Sequence, residues 1–137
     1  MRGFASVLFL FAIACSDSSN APKTLAGTYR LTAFNGRPLP GVIVEDPFGS
    51  LELLSGSLTI GPDTSFSDFF ATRSTGTYTG VAAGGCDGYW TRSADTLLLW
   101  EPSVGSCGET GKATWDGNNT LTVIFPRANY LPMTYTR

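Results

Sequence analysis

The sequence predicts an all-β fold, a single small antiparallel β-barrel of about eight strands. Three observations predict it. Apolar and polar residues alternate with period two through segment after segment, the pattern of strands with one buried face. Eight to ten such short segments recur at regular spacing, divided by Gly, Pro, Asn and Asp, as in a sandwich or a barrel. No stretch after residue 24 carries an apolar stripe at helical spacing. Closing the sheet removes exposed edge strands, which favours the barrel. A barrel of about eight strands is just wide enough inside to be filled by side chains or to hold one small ligand.

The chain of 137 residues has 16 Gly and 8 Pro, as a turn-rich single domain requires. Charged residues make up 15%, against roughly 25% in ordinary soluble domains, and the net charge is −2. Nine scattered cations form no basic face, so nucleic-acid binding is excluded. There is no histidine, which removes His-based catalysis and His-ligated metal. With 42% apolar and 12% aromatic residues the chain is no disordered polymer. No cofactor or metal is expected.

The first element is an address. Met1-Arg2 is a short positive start, and residues 4–14 (FASVLFLFAIA) form an uncharged apolar run of eleven. That is too short for a membrane span of about 20 residues and fits a secretory signal. Ala12-Ile13-Ala14-Cys15 resembles the bacterial lipoprotein signal, in which the chain is cut before the cysteine and the cysteine is acylated. Leucine is usual where Ala12 stands. The resemblance implies lipidation at Cys15, with residues 1–14 as signal peptide. Acyl chains would hold the chain firmly, each buried CH₂ contributing about 0.8 kcal/mol. Residues 15–24 are then a lipidated flexible tether, its SDSSNAPKT small and polar. Ser16, rather than Asp, follows the cysteine, which by the same resemblance favours the periplasmic face of the outer membrane. Without lipidation the chain is expected to be secreted.

The barrel domain, residues 25–137, follows strand by strand. In 28–34 (TYRLTAF), Tyr29, Leu31 and Ala33 share one face and Thr28, Arg30 and Thr32 the other, so Arg30 is expected to point outward. Asn35-Gly36 signals a turn, 37–41 (RPLPG) an extended link, and 42–44 a short apolar strand. The strand 51–60 ends with Leu58 and Ile60 on one face, before the turn Gly61-Pro62-Asp63-Thr64. Strands are expected at 65–71 (SFSDFFA) and 76–81 (GTYTGV). Residues 89–92 and 97–101 read as a hairpin about Ser93-Ala94-Asp95. A second joins 112–115 to 120–125, where Leu121, Val123 and Phe125 face one way. In 132–137, Met133 and Tyr135 alternate with threonines.

With Cys15 assigned to lipid, Cys86 and Cys107 remain, and an exported chain meets oxidising conditions. Their disulfide would close a loop of about 20 residues and contribute roughly 3 kcal/mol. Both lie in glycine-rich turns, and neither has the CxxC partner of a metal or redox pair.

These patches together carry a family resemblance. Leu25-Ala26-Gly27-Thr28-Tyr29-Arg30-Leu31 with Asn35-Gly36-Arg37-Pro38-Leu39-Pro40 resembles the opening of bacterial lipoproteins with a lipocalin-like β-barrel domain. Ser57-Leu58-Thr59-Ile60 before Gly61-Pro62-Asp63-Thr64-Ser65-Phe66 is similar to that group's strand, acidic turn and strand. Gly76-Thr77-Tyr78, Asn119-Thr120-Leu121-Thr122-Val123 and Tyr135-Thr136-Arg137 are similar too. The resemblance spans residues 25–137 and implies a barrel with an apolar ligand. It carries over no catalytic residues. The segment between Cys86 and Cys107 departs from the simple pattern.

The remaining candidates for chemistry are few. A Ser–Lys nucleophile would need Lys23 or Lys112, and no motif joins either to a serine. A glycosidase-like carboxylate pair would have to come from Asp63, Asp68, Asp87, Asp95, Glu101, Glu109 and Asp116, most of which fall in turns that favour acidic residues. Asp68 shares the face of Phe66 and Phe70; it either points into the barrel or guards the outer face of an edge strand, and the second is the reading adopted. Asn118-Asn119-Thr120 matches a glycosylation sequon and reads as a hairpin turn. Arg30, Arg92 and Arg137 are candidate anchors for an acidic group.

The function expected is a lipid-anchored, non-enzymatic barrel binding a small apolar or amphipathic molecule. Its lining would be Tyr29, Leu31, Phe66, Trp100, Leu121, Phe125 and Tyr135. The alternative is an envelope protein that acts through its surface, its barrel filled by Phe66, Trp100, Leu121, Phe125 and Tyr135. The membrane, through the lipid anchor, is the one partner expected besides such a ligand, and the protein partner is left open.

Overall fold

A computed structural model describes residues 24–102 and 107–137. The apolar leader, Cys15 and residues 16–23 lie outside them. The strands are β1 (Gly27–Phe34), β2 (Arg37–Pro38), β3 (Gly41–Asp46), β4 (Gly49–Ile60), β5 (Ser65–Gly76), β6 (Gly80–Gly84), β7 (Asp87–Ser93), β8 (Thr96–Trp100), β9 (Thr110–Trp115), β10 (Thr120–Ile124) and β11 (Met133–Thr136). Eight of them close a barrel in the order β1-β11-β10-β9-β8-β7-β5-β4, and β4 returns to β1 by pairing Ile60 with Gly27 and Ser57 with Arg30. Every pairing is antiparallel. This closure decides the sandwich-or-barrel alternative. Asn35 and Gly36, at φ of 49° and 73°, make the tight turn from β1 into β2.

β4 and β5 are longer than the barrel. Each has 12 residues, about 40 Å at 3.3 Å per residue. The last part of β4 pairs β1, while its first part pairs β3. The first part of β5 pairs β7, while its last part pairs β6. The strand order β3-β4-β5-β6 thus forms a four-stranded wing beyond one end of the barrel, and a bulge between Leu53 and Ser55 marks the junction. The strand expected at 76–81 is corrected here. β5 runs on to Gly76, where φ is +94°, and the chain turns over 77–79 before β6. A Cβ on Gly76 would lie 2.0 Å from the Phe48 carbonyl oxygen, and the Thr77 N–H donates to that oxygen at 2.9 Å. The two hairpin tips of the wing are therefore tied together at a point only glycine can occupy.

The barrel interior is filled. Tyr29, Leu58, Leu97, Leu99, Leu121, Val123, Phe125 and Tyr135 have no exposed surface, and Ile60, Phe66 and Met133 nearly none. Small residues on the facing strands admit the rings: a Cβ on Gly111 would stand 2.3 Å from the Phe125 ring, and one on Gly88 2.6 Å from Phe66. At the end away from the wing, the Tyr29 hydroxyl donates to the Leu25 carbonyl at 2.7 Å, and Arg92 lies over Trp115. Arg137 covers Tyr29 and donates to the carbonyls of Ala26 and Thr24, both at 2.8 Å.

The wing end is closed by a feature the sequence reading did not foresee. After β10, Phe125 is followed by Pro126, which has no N–H for the ladder, and Pro126–Ala128 form a 3-10 turn. The N–H groups of Ala128 and Tyr130 both donate to the Phe125 carbonyl at 3.2 Å. Beside it, the expected disulfide joins Cys86 to Cys107 across a Cα separation of 5.8 Å, just before β7 and β9. No helix among the described residues is long and apolar enough to cross a membrane.

Candidate functional site

Two features meet at the wing end of the barrel, an ion cluster and an apolar cleft. The cluster is centred on Arg127, which the 3-10 turn projects from β10 toward β5, four strands away around a barrel of eight. Its guanidinium pairs with Asp68, with Glu101 at 2.6 Å and with Glu109 at 3.4 Å. It also lies between two rings, 4.0 Å from the centroid of Phe125 and 4.9 Å from Phe70. The Arg127 N–H donates to Glu109 at 3.1 Å, and the Cys86 N–H donates to Asp68 Oδ1 at 2.9 Å.

The side chains of Asp68 and Glu101 have no exposed surface. One cation therefore faces three carboxylates, two of them withdrawn from water. Burial pushes the Asp68 carboxyl up to about 6; nearby Glu101 adds to the rise, while Arg127 and the Cys86 N–H oppose it. Among the described residues the acceptor Glu101 Oε2 and the donor Arg127 Nε are both buried without a hydrogen-bond partner. Burial likewise raises the Tyr135 and Tyr29 hydroxyls.

The cleft lies between the inner face of the wing and the 3-10 turn. It has a volume of about 360 Å³ and is walled by Ile43, Leu51, Leu53, Phe70, Ala82 and Met133, among others. Among the described residues, Arg127 is the one charged residue in its lining. The volume is at the small end of the roughly 300–1,000 Å³ typical of ligand sites. Wing register explains the lining: Leu53 pairs Thr72, Thr72 pairs Ala82, and Phe70 pairs Gly84, so these share the inner face. Glu52 and Arg73 pair on the opposite face and bridge at 2.5 Å.

The seven residues expected to line a ligand site divide as follows. Tyr29, Leu31, Phe66, Leu121, Phe125 and Tyr135 are buried together in the barrel core. None of the seven lines the apolar cleft. Trp100, expected to point inward, is 56% exposed. The reason is parity: Leu97, Leu99 and Glu101 take the inward positions of this segment, so Leu98 and Trp100 face out. Asp68 also differs from the outer-guard reading. It is inward, in phase with Phe66 and Phe70, and Arg127 compensates its charge.

Of the arginines named as anchors, Arg30 is exposed as expected, Arg92 lies over Trp115, and Arg137 clamps the start of β1. Arg127, which reaches the cleft, was not among them. Its only sequence signal is Pro126 breaking an apolar strand. The acidic candidates split too: Asp68, Glu101 and Glu109 converge, whereas Asp63 and Asp116 cap turns through the N–H groups of Ser65, Asn118 and Thr120. Cys86, Cys107 and Glu101 bring sulfur and oxygen atoms within 4.8 Å of one another, but the two sulfurs are bonded and offer no thiolate. A group in the cleft meets Arg127 and not the Asp68 or Glu101 carboxylates.

The chain matches no family model and no curated protein.

Proposed function

We propose that this protein is an exported, lipid-anchored barrel that works by binding, without catalysis. Its ligand is one small apolar or amphipathic molecule, held in the cleft beneath the wing. The observation that carries this reading is the cleft itself: apolar walls, ligand-sized volume and a position at the barrel mouth. The barrel interior, filled by its own side chains, leaves the rim as the place for a ligand. Arg127 does not recommend an anionic head group, since three carboxylates already surround it. A neutral amphiphile fits better, since the cleft shows it the guanidinium and not the carboxylates. The resemblance of residues 25–137 to lipocalin-like lipoproteins supports the same reading, as the leader and Cys15 support the anchor.

Native mass spectrometry of the chain purified from a bacterial envelope tests it. The expected result is a co-purifying small molecule, lost on denaturation and lost in Ala82→Trp, which places an indole in the cleft from an exposed position. A bare protein that also fails to take up long-chain alcohols or amines would overturn ligand binding. Labelled palmitate incorporated by the wild-type chain and not by Cys15→Ser is the result expected for the anchor. The filled interior favours one second reading, a barrel acting only through its surface, and the bare mass is its signature.

A further inference from the structure

A different cleft lies on the outer wall of the barrel, and its chemistry is not that of the wing cleft. Two rows of outward side chains cross the sheet here. In one, Thr28 pairs Thr59, Thr59 pairs Ser67 and Ser67 pairs Asp87. In the next, Ser65 pairs Tyr89, Tyr89 pairs Trp100 and Trp100 pairs Thr110. Directly paired residues share a face, with Cβ atoms about 4.5–5.5 Å apart. The face is the outer one, because the alternating neighbours Phe66, Gly88 and Leu99 are buried. A lane of hydroxyls ending in a carboxylate therefore runs beside a shelf of two aromatic rings. A cleft of about 380 Å³ opens on this face, its lining including Thr59, Ser65, Ser67, Asp87 and Tyr89, while Trp100 stands beside Tyr89 just outside that lining.

Three features distinguish this from incidental surface. Tyr89 and Trp100 are 65% and 56% exposed, two large rings side by side in water where parity gives them no core to join. Among the described residues, Ser67 and Asp87 make no side-chain hydrogen bond, and both line the cleft. The frame around them is fixed. Trp90 donates its backbone N–H to Thr64 at 2.8 Å and its indole N–H to the Gly61 carbonyl at 3.3 Å, holding the β4–β5 turn against β7. The Thr28 and Thr59 hydroxyls bond at 3.0 Å.

We propose that this face binds a neutral saccharide. A pyranose ring offers an apolar C–H face and a rim of hydroxyls. The Tyr89–Trp100 shelf matches the first, and Asp87 with Ser67 matches the second. Among the described residues Asp87 is the one charge in the cleft lining, and it disfavours uronic acids and phosphorylated sugars. Lys112, on the outer face of β9, sits opposite Leu98 and not in the cleft. The proposal does not depend on the wing cleft, and the two can fail separately.

The test is titration of the purified full chain with cellohexaose, chitohexaose and maltohexaose, followed calorimetrically and by the fluorescence of the exposed Trp100 indole. Hexagalacturonate is the anionic control. The expected result is saturable binding of at least one neutral hexasaccharide and none of the uronate. Trp100→Ala and Tyr89→Ala should each weaken it tenfold or more, and Asp87→Asn less. All three positions are exposed, so the melting temperature should hold, which separates lost binding from lost fold. No saturation by any of the three neutral sugars overturns the proposal, as does wild-type affinity in Trp100→Ala. A dimer in sedimentation that Trp100→Ala abolishes, with no sugar bound, would assign the face to a second copy of the chain instead.

Discussion

Replacing Arg127 with methionine tests the ion cluster most directly. Methionine keeps an unbranched apolar stem against Phe125 and Phe70, so packing is largely preserved and the charge is not. What remains is two carboxyls with no exposed side-chain surface, Asp68 and Glu101, plus the partly exposed Glu109. Removing one partner of a buried pair costs about 3–5 kcal/mol. Protonation gives a loss of the same size: holding a proton at pH 7.5 on one carboxyl of ordinary pKa near 4 costs about 5 kcal/mol, at 1.36 kcal/mol per unit. At pH 4.5 the same proton costs less than about 1 kcal/mol. Arg127→Met should therefore lose about 3–5 kcal/mol at pH 7.5 and about 1 kcal/mol at pH 4.5. Urea denaturation followed by tryptophan fluorescence at the two pH values measures both. Equal losses at both, or a larger loss in acid, would refute the electrostatic account.

Other outcomes follow from the same structure. The Asp68 carboxyl, raised to about 6, binds its proton more tightly folded than unfolded, so its contribution to stability is greatest below about pH 4 and falls as pH rises through 6, by about 3 kcal/mol; Asp68→Asn should flatten that part of the stability–pH curve. The double change Cys86→Ser and Cys107→Ser should cost about 3 kcal/mol in equilibrium unfolding, as should reduction of the wild-type chain by a dithiol. Tyr29→Phe deletes a 2.7 Å bond and orphans the Leu25 carbonyl, for about 1–2 kcal/mol, whereas Tyr135→Phe loses only a 3.8 Å contact to the Met133 sulfur and should cost less in the same assay. Gly111→Ala forces a Cβ into the Phe125 ring and should lower stability by about 1–3 kcal/mol, seen as a lower denaturation midpoint.

Local alternation carried most of the fold. Tyr29 and Leu31 in β1, Leu121 in β10 and Tyr135 in β11 reach the interior because period two is a property of each strand alone. The Cys86–Cys107 bond was legible from counting, once Cys15 was set aside. The wing was not, because a strand of 12 residues reads the same whether it serves one set of neighbours or two. Trp100 shows the cost of a one-residue choice of phase in a run as apolar as Leu97-Leu98-Leu99-Trp100. Asp68 shows a different limit. Its partner Arg127 is 59 residues away and reaches it only across a closed barrel. Nothing near Asp68 in sequence announces a compensating charge. The same holds for the outer-wall cleft, whose parts come from separate strands and meet only through register.

The shared strands β4 and β5 give the molecule a polarity. Ile60, at one end of β4, lies beside Gly27, where the chain enters the barrel; Gly49, at the other end, belongs to the wing tip with Phe48 and Tyr78. Arg137 clamps Thr24 and Ala26 at the entering end, so any tether leaves from a fixed pole. Were the protein to stand on a surface by that pole, the 12-residue strands would carry the wing tip at most about 40 Å away from it. In that arrangement the apolar cleft and the exposed tip aromatics Phe48 and Tyr78 would point away from such a surface.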